Sequence, residues 1–186
     1  RDPLQMTLAD EIELVCDFIL GIQQDFPDLK IYYKLGNHEK RWESMLRAKI
    51  PELVGFDFTS AKNLFESRLP GVTVINHTTP MTYGKLTIIH GHEYGGGAGM
   101  PVNPARLIFL KAKKSVLCAH YHQKSEHQEP TIVGDSVGAW SVGCLCNWRP
   151  EYAPLNKWGL GFAELELDGD GNFDVRNRSI IDYRLR

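Results

Sequence analysis

No run of apolar residues in this sequence approaches the ~18 that a membrane-spanning helix needs, and no basic-then-apolar leader stands at its start. A protein with no membrane-spanning helix is expected. An excess of one charge is also missing: 21 Lys and Arg face 23 Asp and Glu, for a formal net charge of -2. That balance gives no broad attraction for a polyanion, and the largest basic cluster, Lys111, Lys113 and Lys114, is small. A phosphate-bearing ligand would have to be held by local groups. Cysteine is scarce, with four residues at positions 16, 118, 144 and 146, too few for the dense disulfide framework of small secreted domains. A reducing, cytoplasmic compartment is the expectation. Internal repeats, low-complexity tracts and a dividing linker are all missing as well, so 186 residues with 42% hydrophobic content predict a single domain with a substantial core.

What is present is an alternation of two periods. From Leu4 to Ile22, apolar residues fall at Leu4, Leu8, Ile12, Val15, Ile19 and Ile22, the spacing of a helix that buries one face. Its start is predicted at Asp2 as N-cap, with Pro3 at the first helical position and Gln5 closing a capping box. The strand "IYYKL" follows, then "GNHE", then a helix through Trp42, Met45 and Leu46. Residues 51 to 70, bounded by Pro51 and Pro70, read as short helix and loop. "GVTVINH" reads as a strand and "MTYGKLTIIH" as a hairpin around Gly84. After the glycine-rich loop come a helix from Ala105 to Lys113 and the buried strand "SVLCA". Beyond Ser125 the pattern is all strand: "EHQEPTIV", "SVGAWSVGCL", and "LGFAELEL" joined to "FDVRNRSIIDYRL" by the turn "DGDGN". Helices alternating with strands and then strand hairpins predict an α/β layered sandwich.

Three polar stretches follow apolar strands: "GNHE" at 36 to 39, "HGH" at 90 to 92 and "AHYH" at 119 to 122. Loops at the carboxyl ends of strands in an α/β sheet are free to converge, which makes those ends the usual place for ligands. Imidazole suits zinc, manganese and iron, and an amide or carboxylate oxygen suits the harder of these. Asn37, His90, His120 and His122 therefore form a candidate metal set of nitrogen and oxygen ligands. The one-residue gap between His120 and His122 lets the two rings face different ions.

The ordered motifs "GNHE", His90 within "IIHGH", and "AHYH" resemble the last three signatures of the calcineurin-like metallophosphoesterases, a family of two-metal phosphohydrolases. "GCLCNWRPEYAPLNKWGLGF" is similar to the corresponding stretch of small bacterial and phage-type members. The resemblance implies an α/β/β/α sandwich, two divalent ions (manganese, iron or zinc), and a phosphomonoester or phosphodiester substrate, with nucleotides or nucleic-acid ends among the candidates. Asn37, His90 and His120 would bind one ion and His122 its neighbour. His38 would protonate or stabilise the leaving group, and Glu39 would orient His38 or a ligand. Arg41 and His92 are candidates for substrate contact, against a solvated charge for the first and a loop brace for the second.

Two family motifs, Asp-x-His and Gly-Asp-x-x-Asp, do not occur. The Gly-Asp pairs at 134–135 and 169–170 come after the last His motif, in the wrong order, and Ala119 stands where the family has Gly. Since the chain opens abruptly on a helix-start signal, the expectation is that an upstream strand-loop-strand segment carrying those motifs has been removed, leaving sheet edges that invite homo-oligomers. A chain with half a two-metal site can also be inactive, which keeps open a non-catalytic interaction scaffold on the same fold.

The remaining motifs have plainer readings. His77 and His127 read as hydrogen-bonded structural residues. "GGGAG" at 95 to 99 lacks the Lys-Ser/Thr of a nucleotide loop and reads as a flexible rim. "DGDGN" carries Phe173 and Ser179 where a calcium loop needs Gly and Glu, and reads as a hairpin turn. Cys144 and Cys146 are expected to alternate on one strand face, where a metal or redox role is weighed against packing and packing is preferred, because no second Cys pair supports a zinc site. Trp148, Tyr152 and Trp158 suit either stacking on a substrate ring or core packing.

Overall fold

The first described residue already fixes a helix start. In the computed structural model, which describes residues 7–94 and 101–186, Thr7 is extended, and its Oγ1 accepts a hydrogen bond from the Asp10 amide while its own amide donates to Asp10 Oδ2 at 2.9 Å. This reciprocal cap starts helix α1 (Leu8–Asp25). The helix therefore begins one turn later than the periodicity from Leu4 predicts, because a Thr with Asp three residues on satisfies two orphan amides at once. The start signal at Asp2, Pro3 and Gln5 and the "GGGAG" loop lie outside the described residues.

The chain divides into two compact units, Arg1–His77 and Thr78–Arg186. In the first, α1 is followed by strand β1 (Tyr32–Lys34), helix α2 (Asn37–Lys49), two single-turn 3-10 helices, helix α3 (Ala61–Arg68) and strand β2 (Thr73–Ile75). β1 and β2 pair in parallel, Tyr33 opposite Val74. Ile12, Cys16 and Ile19, one face of α1, pack with Leu35, Phe65 and Val74 into the core of this unit. Helix α2 buries none of its residues fully. It rides on the core through half-buried Trp42 and leaves His38 and Lys40 of its first turn exposed.

The second unit is built in layers. Its central sheet has the order β3-β4-β5-β7-β6, from β3 (Met81–Tyr83), β4 (Leu86–Ile89), β5 (Val116–Cys118), β6 (Ser125–Pro130) and β7 (Ser136–Ser141). β4, β5 and β7 run parallel, and β3 and β6 are antiparallel edges. Pro130, which cannot donate to a ladder, sits on such an edge. A second sheet has the order β10-β9-β8, from β8 (Gly161–Leu167), β9 (Phe173–Ile181) and β10 (Arg184–Leu185). Helix α4 (Pro104–Ala112) starts at Asn103, whose Oδ1 accepts from the Arg106 amide, and stops at Lys113 in the left-handed conformation.

The period of two along each strand sorts the core onto two faces. Val116, Cys118, Ile89 and Ala139 join Ile108 and Ala105 of α4 on one side. Leu117, Trp140 and Leu86 meet Leu165, Phe173 and Val175 of the second sheet on the other. Buried Asn177 of β9 reaches across, its Nδ2 donating to the Ser141 carbonyl at 3.0 Å. The molecule is thus mixed α/β, with one unit in helix, sheet and sheet layers.

Two predicted strands are corrected. Residues 173–185 do not form one strand: Asp182 and Tyr183 both adopt positive φ (50° and 59°) and fold β10 back onto β9. The strand through "SVGCL" stops at Ser141, so Cys144 and Cys146 do not alternate along it, and Cys144 only forms an isolated bridge with Leu160. Among the described residues no helix is long and apolar enough to cross a membrane.

Candidate metal centre

The predicted ligands divide between the units. In the first, Gly36 is the N-cap of α2, so Asn37, His38 and Glu39 form the first turn of the helix rather than a loop before it. The Glu39 carboxylate is fully engaged: the Gly36 amide donates to Oε2 at 2.8 Å and the Tyr33 hydroxyl to Oε1 at 3.2 Å. Burial, and then the Glu39 charge, push the Tyr33 hydroxyl well above its usual range, so it remains a donor. Glu39 therefore ties the turn carrying His38 to the strand before it. Asn37 is half-buried and His38 is exposed. His38 and Arg41 line a cleft of about 320 Å³ with Ile12, Tyr33, Trp42 and Phe65.

In the second unit, His90 follows β4 and His120 follows β5, so the two strands, paired in parallel with Ile89 opposite Cys118, deliver the residues after them to one sheet end. The amides of Ala119 and His120 both donate to the His90 carbonyl, at 3.1 and 2.8 Å, joining the two loops. The ring centroids of His90 and His120 are 5.0 Å apart, and those of His90 and His92 4.9 Å. His92 Nδ1 lies 3.0 Å from His90 Nδ1. Sequence reading left His92 between two roles, and the structure brings it into this group.

Glu93 was not found by sequence reasoning. Its carboxylate accepts from the His90 and Gly91 amides at 3.0 and 2.6 Å, and one oxygen lies 3.6 Å from His92 Nδ1. His90, His92 and Glu93 each offer a ligand atom within 4.8 Å of the others. The available signal was an acidic residue two and three positions after "HG", a spacing that lets a carboxylate fold back on its own loop. Gly91 makes the approach possible: its φ is +120°, and a Cβ there would meet the His120 Cβ at 2.8 Å.

His122 parts from His120. Its backbone is left-handed (φ 55°), and its ring packs edge-on against Trp158 at 4.5 Å. It lies with Cys144 and Cys146, one ligand atom of each within 4.8 Å of the others. All four cysteines are free thiols. Cys16, Cys118 and Cys144 are buried and Cys146 is exposed. Burial pushes the Cys118 thiol up to about 12 and, with help from neighbouring Cys146, the Cys144 thiol up to about 11. His127 behaves as a structural residue, with Nε2 2.8 Å from Glu129 Oε1 and its ring edge-on to Phe109. The His77 carbonyl accepts from Lys34 Nζ at 2.9 Å.

Compared with protein-family models, with curated proteins and with solved structures, the chain matches none.

Proposed function

We propose that this chain is a metal-dependent phosphoester hydrolase of the calcineurin-like metallophosphoesterase type, its layers forming part of that family's α/β/β/α sandwich. The observation that carries the reading is the meeting of His90, His92 and His120 at the carboxyl ends of two adjacent parallel strands. The donor set suits the group: imidazole nitrogens backed by the Glu93 carboxylate favour manganese, iron or zinc. His90, His120 and His122, all in the second unit, are the proposed ligands of two such ions; Asn37 and His38, in the first unit, are assigned to the reaction by the resemblance of "GNHE" alone. Bound there, the ions would polarise phosphoryl oxygens and acidify a water.

The other tasks fall to the chain itself. Glu93 holds the His90 and Gly91 amides, and so orients the His90 ring relative to His92. His38 gives a proton to the leaving oxygen of the ester, with its turn held by Glu39 and Tyr33. Arg41, beside His38 on the same cleft, supplies positive charge for a phosphate. The substrate class is a phosphomonoester or phosphodiester, including nucleotides and nucleic-acid ends.

The test is elemental analysis of the purified chain together with manganese-dependent hydrolysis of a chromogenic phosphodiester. Metal retention is expected, and where the chain turns the ester over, His38→Ala should lower the rate by about 10²- to 10⁴-fold at unchanged metal content. A metal-free, inactive protein would sink the hydrolase reading and leave the interaction scaffold.

A further inference from the structure

The second unit contains a group of ligand-forming side chains whose chemistry differs from that of the histidine cluster. His122, Cys144 and Cys146 each place one ligand atom within 4.8 Å of the other two. With Zn–S and Zn–N bonds of about 2.3 and 2.0 Å, tetrahedral ligand atoms stand roughly 3.5–3.8 Å apart, so the three need only a small closure to share one ion.

The backbone brings them together deliberately, through one residue. Gly159 donates its amide to the His122 carbonyl at 2.9 Å and accepts from the Cys144 amide at 2.9 Å. The Gly161 amide then donates to the Cys144 carbonyl at 3.0 Å. This close seam depends on Gly143, where a Cβ would stand 2.4 Å from the Gly159 carbonyl oxygen and 2.6 Å from the Gly161 nitrogen. His122, meanwhile, is held in the left-handed region (φ 55°), a strained conformation for a non-glycine residue that persists only where the surroundings over-determine it. The His122 amide donates to the Ala119 carbonyl at 3.2 Å, and Trp158 walls its ring on one side. Buried Cys144 and exposed Cys146 give the group a closed side and an open one, the route by which an ion would enter.

We propose that His122, Cys144 and Cys146 form a binding site for a single zinc ion. Two thiolates and an imidazole are a soft set that selects zinc over magnesium, calcium or manganese. Three protein ligands leave the fourth position to water or a further ligand, the arrangement of zinc sites that do chemistry. Binding releases the two thiol protons to solvent and changes no oxidation state. The site stands whether or not the phosphoester reading does. If both hold, zinc on the thiolates and an ion in the histidine cluster call on the same His122 imidazole.

The test uses cobalt(II) as the probe for zinc, added to the full chain after reduction and stripping with EDTA. One equivalent is expected to give an intense near-ultraviolet sulfur-to-cobalt band that one equivalent of zinc abolishes. Cys146→Ser should keep the fold, because the side chain is exposed, yet weaken cobalt binding by more than the roughly 10- to 100-fold that losing an outer-shell partner costs. His122→Ala should do the same. Cys16→Ser, in the other unit, should leave the band unchanged, and so should His90→Ala, which removes a proposed phosphoesterase ligand. Hydrolysis lost in His90→Ala with the band intact separates the two readings. Absence of the band in reduced, folded chain, or a band that survives Cys146→Ser at undiminished affinity, would overturn the zinc site.

Discussion

The two ligand clusters of the second unit differ in the distance along the chain from which their members come. His90, His92 and Glu93 lie within four consecutive residues, and the loop closes on itself through the Glu93 carboxylate and two of its own amides. His122, Cys144 and Cys146 span 25 positions and meet only because Gly159, from a third segment, binds the backbones of both His122 and Cys144. The first cluster presents nitrogen and oxygen and the second mostly sulfur, so one unit offers a hard site and a soft one. A ligand set encoded locally is shaped by the loop itself, whereas one encoded at a distance depends on the surrounding fold.

The strongest way to break the comparison is Gly91→Ala. A Cβ at φ +120° with the His120 Cβ 2.8 Å away should destabilise the chain by about 3 kcal/mol and separate His90 from His120. A urea midpoint lowered accordingly, with divalent ions lost from the histidine cluster and cobalt thiolate binding retained, is the expected result. An unchanged midpoint would mean that the two loops are not pressed together as described.

Glu93→Gln is gentler. It keeps the shape of the side chain but removes the charge and replaces one of the two accepting oxygens with an NH2 that faces an amide N–H, so one bond is lost and the other weakened, about 2 kcal/mol in all. Stability and manganese affinity should both fall, while the rate at which Cys146 reacts with iodoacetamide stays as it was. If that rate changes, the two clusters are coupled and the contrast between them weakens.

The smallest effect at neutral pH comes from Cys118, which packs beneath both histidine loops. Its thiol is pushed from 9.0 up to about 12 by burial. Below pH 9 it is protonated in folded and unfolded chain alike and contributes no pH dependence. Between 9 and about 12 the unfolded chain loses the proton first, so stability should decline across that window. Cys118→Ala should flatten part of the decline in a series of urea titrations, and an identical slope would show that other groups cause it.

The contrast also explains what was legible in the sequence. Strands β1 to β8, the helix at 105–112 and the polar loops at 90–92 and 119–122 are readable because each is a local period ending in a local motif, whereas the cap at Gly36 makes "GNHE" a helix start. His92 was left undecided, since its ring position depends on the Gly91 turn. Glu93 was missed, since a carboxylate bound to two amides of its own loop looks in sequence like any surface acid. The hairpin at Asp182 and Tyr183 was missed because neither position carries the glycine that usually marks two positive φ angles. For Cys144 and Cys146 the sequence leaves a metal or redox role open and prefers packing on a strand face; their approach to His122 arises from the seam with Gly159, which no spacing rule contains.

The turns of two hairpins bear on how the second unit assembles in time. The Gly84 turn between β3 and β4 and the Gly171 turn between β8 and β9 are stitched by the Lys85 amide on the Gly171 carbonyl at 2.8 Å and by Lys85 Nζ on Asn172 Oδ1 at 2.7 Å. Lys85 and Asn172 are 87 residues apart. Each hairpin can form from neighbours in microseconds, but this join must wait for a long loop to close. It should therefore be absent from the folding transition state. Lys85→Ala should accelerate unfolding with little change in refolding rate, and a slowed refolding limb would place the stitch in the nucleus instead. The two sheets would then dock last, with their far tips acting as a latch on a core already formed.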